Sequence, residues 1–197
     1  MNNPYIILIA GASATGKTTF AKYASSSLYI PLVCKDEIKQ ILWNKEQYEK
    51  DYYLHCNKLN GTIAYKILFY FTEQLMKTQK PFILESNFRK QAEDTLKELI
   101  KRYKYKVMTI LFNADIEILH KRFLLRDQLA ERHPGLKSEG FYSDINIFQN
   151  AIAEDCKFSI GSTLEINTND FNTVDYNDII EKINVFANRN SISVNEE

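Results

Sequence analysis

Only three cysteines occur in the chain, Cys34, Cys56 and Cys156, far apart and in no C-x-x-C spacing. An odd, scattered set argues against a disulfide framework and fits the reduced thiols of a cytoplasmic protein. Charge of one sign is also missing: lysine plus arginine equals aspartate plus glutamate at 25 each. No overall field therefore selects nucleic acid or an acidic membrane. Long apolar runs are absent. The first one, Tyr5–Ala10, is too short for a membrane span or signal peptide, and no basic stretch precedes it. With four prolines and six glycines there is no linker rich in either, and no repeat or low-complexity tract divides the chain. Its 197 residues suit one well-buried domain over 1–188, with a polar, aperiodic tail over 189–197.

What is present is alternation. Tyr5–Ala10, Pro31–Cys34, Phe82–Glu85, Val107–Phe112 and Thr163–Asn167 are apolar segments of strand length. Helical periodicity lies between them: Ile63, Ile67, Phe71 and Leu75 form one stripe, and Ala92, Leu96, Leu99, Ile100 and Tyr103 another. Asp115 is placed to cap a helix through Ile116, Leu119 and Phe123, and Ile179, Ile180, Ile183 and Phe186 mark a last helix. Strands alternating with helices predict an α/β fold with a parallel sheet covered on both faces. Two segments exceed the minimal pattern. Residues 45–80 read as a helical insertion for a second substrate, and 115–140 as a lid, with His133-Pro134-Gly135 breaking its polar, basic end.

The most specific motif is Gly11-Ala12-Ser13-Ala14-Thr15-Gly16-Lys17-Thr18, a full match to G-x-x-x-x-G-K-[ST] between a strand and a helix. Its glycines let successive N–H groups turn inward on an anion, and the helix start at Thr18 and Thr19 adds unpaired donors. Lys17 is suited to the β- and γ-phosphates and Thr18 to Mg²⁺. A nucleoside triphosphate, expected to be ATP with Mg²⁺, is the implied ligand.

The remaining residues decide how that ligand is used. No aspartate stands three before a glycine, so the D-x-x-G of a GTP switch is missing, and Asn167-Thr168-Asn169-Asp170 lacks the lysine of N-K-x-D. Glu85 ends a strand where an acid orients the metal, directly or through water. Asp36 follows the strand Pro31–Cys34, where a carboxylate can accept the proton of an attacking hydroxyl. Arg122 and Arg126, four apart on one helix, and Arg132 beyond them are candidates to stabilise charge on the transferring phosphoryl group.

GASATGKT, together with Cys34–Lys39, Phe82–Phe88 and Lys121–Arg126, resembles the small P-loop kinases of the AAA_33 and zeta-toxin-like group. That group includes chloramphenicol phosphotransferase-like enzymes and the kinase domain of phage polynucleotide kinase. The resemblance spans about Tyr5 to Asp170 and implies a five-stranded sheet in the order 2-3-1-4-5. It also implies a base at Asp36, lid arginines at Arg122 and Arg126, nucleotide cover by Arg132, and phosphate or substrate contact by Lys39. Lys39 stands where arginine is more usual, and only arginine offers a bidentate fork. The segment Ile166-Asn167-Thr168 resembles the turn near the adenine.

The expected activity is transfer of the γ-phosphoryl group of ATP to a hydroxyl of a small molecule. Tyr48, Tyr52, Tyr53, His55, Asn57, Asn60 and Tyr65 suggest a neutral, ring-bearing or hydroxylated acceptor, with Tyr52, Lys39 and Asn87 in contact with it. A nucleotide-sugar kinase, a polynucleotide 5′-hydroxyl kinase and a non-catalytic ATP-binding module are the alternatives. Residues 45–80 lack the dense basic run that a polynucleotide channel needs, so neither nucleic acid nor membrane is an expected partner.

Overall fold

The computed structural model describes residues 4–44, 53–88 and 90–188. Tyr48, Tyr52 and the 189–197 tail lie outside the described residues, as do the side chains of Tyr53, His55 and Asn57.

Five strands form one parallel sheet: β1 (Tyr5–Gly11), β2 (Leu32–Cys34), β3 (Phe82–Glu85), β4 (Lys106–Asn113) and β5 (Ser162–Asn167). Their order is β2-β3-β1-β4-β5, as the resemblance implied. The central strand needs apolar residues at every position because both faces are covered. Ile6, Leu8 and Ala10 face one core, packed by α3 (Tyr53–Lys77) and α4 (Lys90–Tyr103). Ile7 and Ile9 face the other, with α1 (Lys17–Leu28) and α7 (Tyr176–Asn188). Between them, α2 (Lys35–Asn44) follows β2 directly, and α5 (Ile116–Gln128) and α6 (Ile145–Ile152) follow β4. Leu119 and Phe123 of α5 and Phe148 and Ile152 of α6 close a third, smaller core over Ala12 and Ala14.

Two local expectations need correction. On α3 the buried stripe is Ala64, Leu68, Thr72 and Met76, one residue on from the apolar row Ile63–Leu75; Phe71 stands 47% exposed. Alanine and threonine at that face allow the helix to approach the sheet, while the larger side chains fill the flanks. Asp115 occupies the cap position of α5, but its side chain makes no cap hydrogen bond and accepts one from Asn169 Nδ2 at 2.9 Å. α6 is not among the expected helices; at eight residues it is little more than two turns long, although Ile145, Ile147, Phe148, Ala151 and Ile152 are apolar.

Register sets the site. Ile9 pairs with Glu85, and Glu85 pairs with Cys34. The carboxyl ends of β1, β3 and β2 therefore finish side by side. Gly11–Lys17, Glu85 and Asp36 emerge at one edge, where ligands of open α/β sheets bind.

Candidate active site

The glycine-rich loop holds three residues of positive φ. Gly11 leaves β1 at φ +127°, and a Cβ there would lie 2.1 Å from the Phe112 carbonyl oxygen. Ala14 and Gly16 have φ of 68° and 83°. These turns curl the chain into a concave anion cradle ahead of α1. Thr15 Oγ1 donates to the Ala12 carbonyl at 2.9 Å, which fixes the curl. Lys17, the first residue of α1, is buried and folds back; its Nζ donates to Ala12 O at 3.3 Å and lies 3.7 Å from Glu85. Thr19 faces outward from the first turn.

Glu85 is buried at the end of β3, and desolvation pushes its carboxyl up despite the Lys17 ammonium. The Thr18 hydroxyl and the Cys34 thiol lie beside it, and burial with the nearby Glu85 charge drives that thiol well above the usual range. Glu85 Oε2 is buried with no hydrogen-bond partner. An unsatisfied carboxylate oxygen next to the Thr18 hydroxyl fits a magnesium ion or its water, because hard cations take oxygen donors and Mg²⁺ keeps several waters. Among the described residues no cluster of three or more His, Cys, Asp or Glu could cage a metal. An ion held there would therefore rely on phosphate oxygens.

Asp36 sits in the first turn of α2. Burial pushes its carboxyl up, but the ammonium groups of Lys35 and Lys17, with Lys39 beyond, hold it well below the usual carboxylate range. Lys35 Nζ is 3.0 Å from Asp36 Oδ1 and also faces the Tyr65 ring at 5.3 Å. Lys39 lies three residues on, and both residues line the cleft, as their shared helix face requires.

The expected arginine pair is divided. Arg122 Nη1 and Nη2 donate to the Thr168 and Asn169 carbonyls at 2.6 and 2.9 Å, and its guanidinium stacks on Phe171 at 3.9 Å. Phe171 in turn packs on Gly16, where a Cβ would meet its ring at 2.8 Å. Arg122 is thus brought to the Asn167–Phe171 turn rather than to Asp36. Arg126, one turn later on α5, is turned inward. Burial and the neighbouring Arg132 charge lower its pKa to about 10, while Asp36 and Glu85 act the other way. Arg132 is likewise lowered by burial and likewise feels Asp36. Both have a buried Nε without a partner. Two desolvated guanidinium groups with spare donors form a site that an anion would satisfy.

Lys17, Asp36, Lys39, Asn87 and Arg132 share a cleft of about 770 Å³, a volume typical of small-molecule sites. Asn87 is oriented by Asp155, which is 2% exposed and accepts from Asn87 Nδ2 at 2.9 Å. The lid covers the cleft. Asp127 Oδ2 accepts from Ser138 N and Oγ, Arg132 Nη2 donates to Leu136 O, and Gly135 lies against Trp43 of α2. Of the aromatic and amide residues expected to form the acceptor wall, Tyr65 lines the cleft whereas Asn60 is 2% exposed and outside it. The sequence reading missed Lys35, Lys66, Lys137, Phe123, Phe141 and Tyr142, which also line it. Lys35 adjoins Asp36 and was recoverable on that ground. The others come from separate elements that only the fold unites.

Residues 6–133 match the sequence profile of AAA_33, an AAA domain. No curated protein matches the sequence. Among solved structures, a candidate kinase from Chloroflexus aurantiacus J-10-fl superposes with TM-score 0.82 at 23% identity, over 93% of this chain and 98% of that one. A gluconokinase from Sinorhizobium meliloti 1021 gives TM-score 0.54 at 12% identity, over 95% and 93%. A shikimate kinase from Bacteroides thetaiotaomicron gives 0.54 at 14%, over 92% and 97%. These likenesses establish a kinase-like P-loop fold along nearly the whole chain.

Proposed function

Because the chain belongs to the AAA_33 family, we propose that it is an ATP-dependent phosphotransferase acting on a hydroxyl of a small molecule. One observation carries this reading: an ionised Asp36 opens into the same cleft as Lys17 and Arg132. A nucleotide-binding switch has no use for a carboxylate aimed at the phosphate end of the loop, whereas an acceptor hydroxyl does.

In this mechanism the loop N–H groups and Lys17 hold the β- and γ-phosphates. Arg126 and Arg132 replace solvent around the γ-phosphoryl oxygens, where their unsatisfied Nε–H groups gain partners. Asp36 accepts the hydroxyl proton, the acceptor oxygen bonds to the γ-phosphorus, and the bond to the bridging oxygen breaks, leaving ADP with the electron pair. A carboxylate held below its usual range is a weak base in the free protein. Binding of the phosphates neutralises Lys17 and so raises the affinity of Asp36 for a proton. Proton transfer then follows rather than precedes bond formation to phosphorus, as a loose transition state requires. Thr18 and Glu85 would hold Mg²⁺, whose chemistry is to neutralise charge on the β- and γ-oxygens. Arg122 and Phe171, stacked over Gly16, would frame the base end of the nucleotide. Lid closure by residues 132–142 keeps water from competing with the acceptor.

The test is label transfer from γ-labelled ATP with Mg²⁺ and a metabolite extract. Transfer to a small molecule, lost in Lys17→Ala and in Asp36→Ala, is the expected result. Transfer undiminished in Asp36→Ala would remove the assigned base.

A further inference from the structure

We propose that Asp155 is a positioning residue that holds the Asn87 amide with Oδ1 toward the acceptor. Oδ1 then selects an acceptor with a second hydrogen-bond donor, a hydroxyl or an amine, beside the hydroxyl that is phosphorylated. This rests on the kinase reading above and deepens it. Glu85 ends β3 in the donor half of the site, and residues 86–88 follow directly. Phe88 has a φ of 31°, a conformation that a non-glycine residue keeps only where its surroundings hold it. The Phe88 ring, 1% exposed, stacks on Phe158 with centroids 4.7 Å apart. Ser86 Oγ accepts from Phe88 N at 3.4 Å and pairs with the Tyr65 hydroxyl at 3.1 Å. Asn87 Nδ2 donates to Asp155 Oδ2 at 2.9 Å.

Asp155 and Phe158 lie on one segment, 153–161, that joins α6 to β5. Ile160 fastens its far end: its N–H donates to Thr109 Oγ1 at 3.1 Å, and its carbonyl accepts from the same hydroxyl at 2.7 Å. One segment thus grips two successive residues, Asn87 and Phe88. The aromatic stack alone would anchor it. It does not call for a carboxylate that is 2% exposed, because taking such a group out of water is costly. Asn87 lines the cleft and Asp155 stands outside its described lining, so Asp155 acts on the acceptor through the amide. A carboxylate only accepts, and it therefore decides which end of an amide turns toward it. With Nδ2 held on Asp155, Oδ1 is the end left for the cleft. Among the described residues, Nδ2 is the one atom of this amide with a hydrogen-bond partner. An amide oxygen needs a donor, which an O–H or N–H of the acceptor supplies. Asp36, on the same cleft, takes the reacting hydroxyl, so the acceptor carries both groups.

The experiment follows label from γ-labelled ATP, with Mg²⁺, into a metabolite extract, over a dilution series that gives an apparent KM. The full-length parent, Asn87→Ala, Asp155→Asn and the double variant are compared. Folding is checked by circular dichroism, and nucleotide affinity by titration with a β,γ-imido ATP analogue. Each single substitution is expected to raise the apparent KM roughly tenfold, the worth of one hydrogen bond, and the double variant no further. kcat and nucleotide affinity should change far less, a split that damage to the fold would not give. The swapped pair, Asn87→Asp with Asp155→Asn, keeps the hydrogen bond and is expected to regain the parent KM. It has no N–H left at position 87, so rescue requires an acceptor oxygen there. It also carries the test if Asp155→Asn alone does not fold. Peracetylation of the labelled product, read by mass spectrometry, should add at least one acetyl group. Mild base then removes esters and leaves amides, which tells hydroxyl from amine. A product that takes no acetyl group would overturn the proposal, as would an Asp155→Asn variant with the parent KM. So would additive losses in the double variant, or a swapped pair no better than Asn87→Ala. Failure of the kinase reading shows separately, as a parent protein that transfers no label to the extract, or no more than Lys17→Ala does.

Discussion

Asp36 and Arg126 carry charges that their neighbours shift, and each gives a measurable consequence. Asp36→Asn keeps the shape of the side chain but cannot accept a proton. The expected outcome is a fall in kcat of about 10²–10⁴-fold, with nucleotide affinity changed far less, read by steady-state kinetics and analogue titration. The same substitution should alter the acid limb of stability. Lys35 and Lys17 lower the folded-state affinity of Asp36 for a proton. Its contribution is therefore complete above the ordinary carboxylate value, about pH 4, and is lost as pH falls through the lower folded value. Urea midpoints should decline less between about pH 4 and pH 2 in the Asn variant than in the parent. Glu85 has the opposite sign: its raised affinity favours the fold at low pH and is lost as pH rises through the folded value. Arg126 is held near Arg132 with an unsatisfied buried Nε. Arg126→Met should therefore raise the stability of the free protein by about 0.5–2 kcal/mol while abolishing transfer, as expected where a site is built against stability. Thermal melts with and without nucleotide measure both effects, and a destabilised variant would contradict this reading.

Among the elements, the lid and α2 form the movable contact. Gly135 is buried against Trp43, and a Cβ there would lie 2.9 and 3.0 Å from Trp43 Cγ and Cβ. His133 adds a hydrogen bond to Asn44 Oδ1 at 3.0 Å. Gly135→Ala should hold the lid off α2, raise the acceptor KM several-fold, and let more solvent reach Trp43. Because Trp43 is the sole tryptophan, its emission reports this directly. A red shift in the variant is expected, and identical emission would show that the contact adapts without opening. The same scale explains what the sequence made legible. Strand positions were readable because buried parallel strands are continuous apolar runs, and β3 was recovered with its ends. The α3 face was misjudged because the helix approaches the sheet through Ala64 and Thr72, which carry little apolar signal.

For the whole molecule, the donor half of the site was legible and the acceptor half was not. GASATGKT is contiguous, so its chemistry survives translation into one dimension. Glu85 was recoverable because it ends a strand, and Asp36 because it stands two residues after one, both at the edge where the loop lies. Arg122 and Arg126 share a helix side by spacing, yet tertiary partners send one to the Thr168 and Asn169 carbonyls and the other inward. Lys66 and Lys137 had no local signature, since only folding places them across one cleft from Lys39. The central claim is that the loop presents the γ-phosphate to Asp36, and a crystal structure with Mg²⁺ and the β,γ-imido ATP analogue tests it most directly. The γ-phosphate is expected between Lys17, Arg126 and Arg132, with Asp36 across a space wide enough for one hydroxyl and Arg122 toward the base. A triphosphate bound in the loop with its γ-phosphate directed away from Asp36 would contradict it.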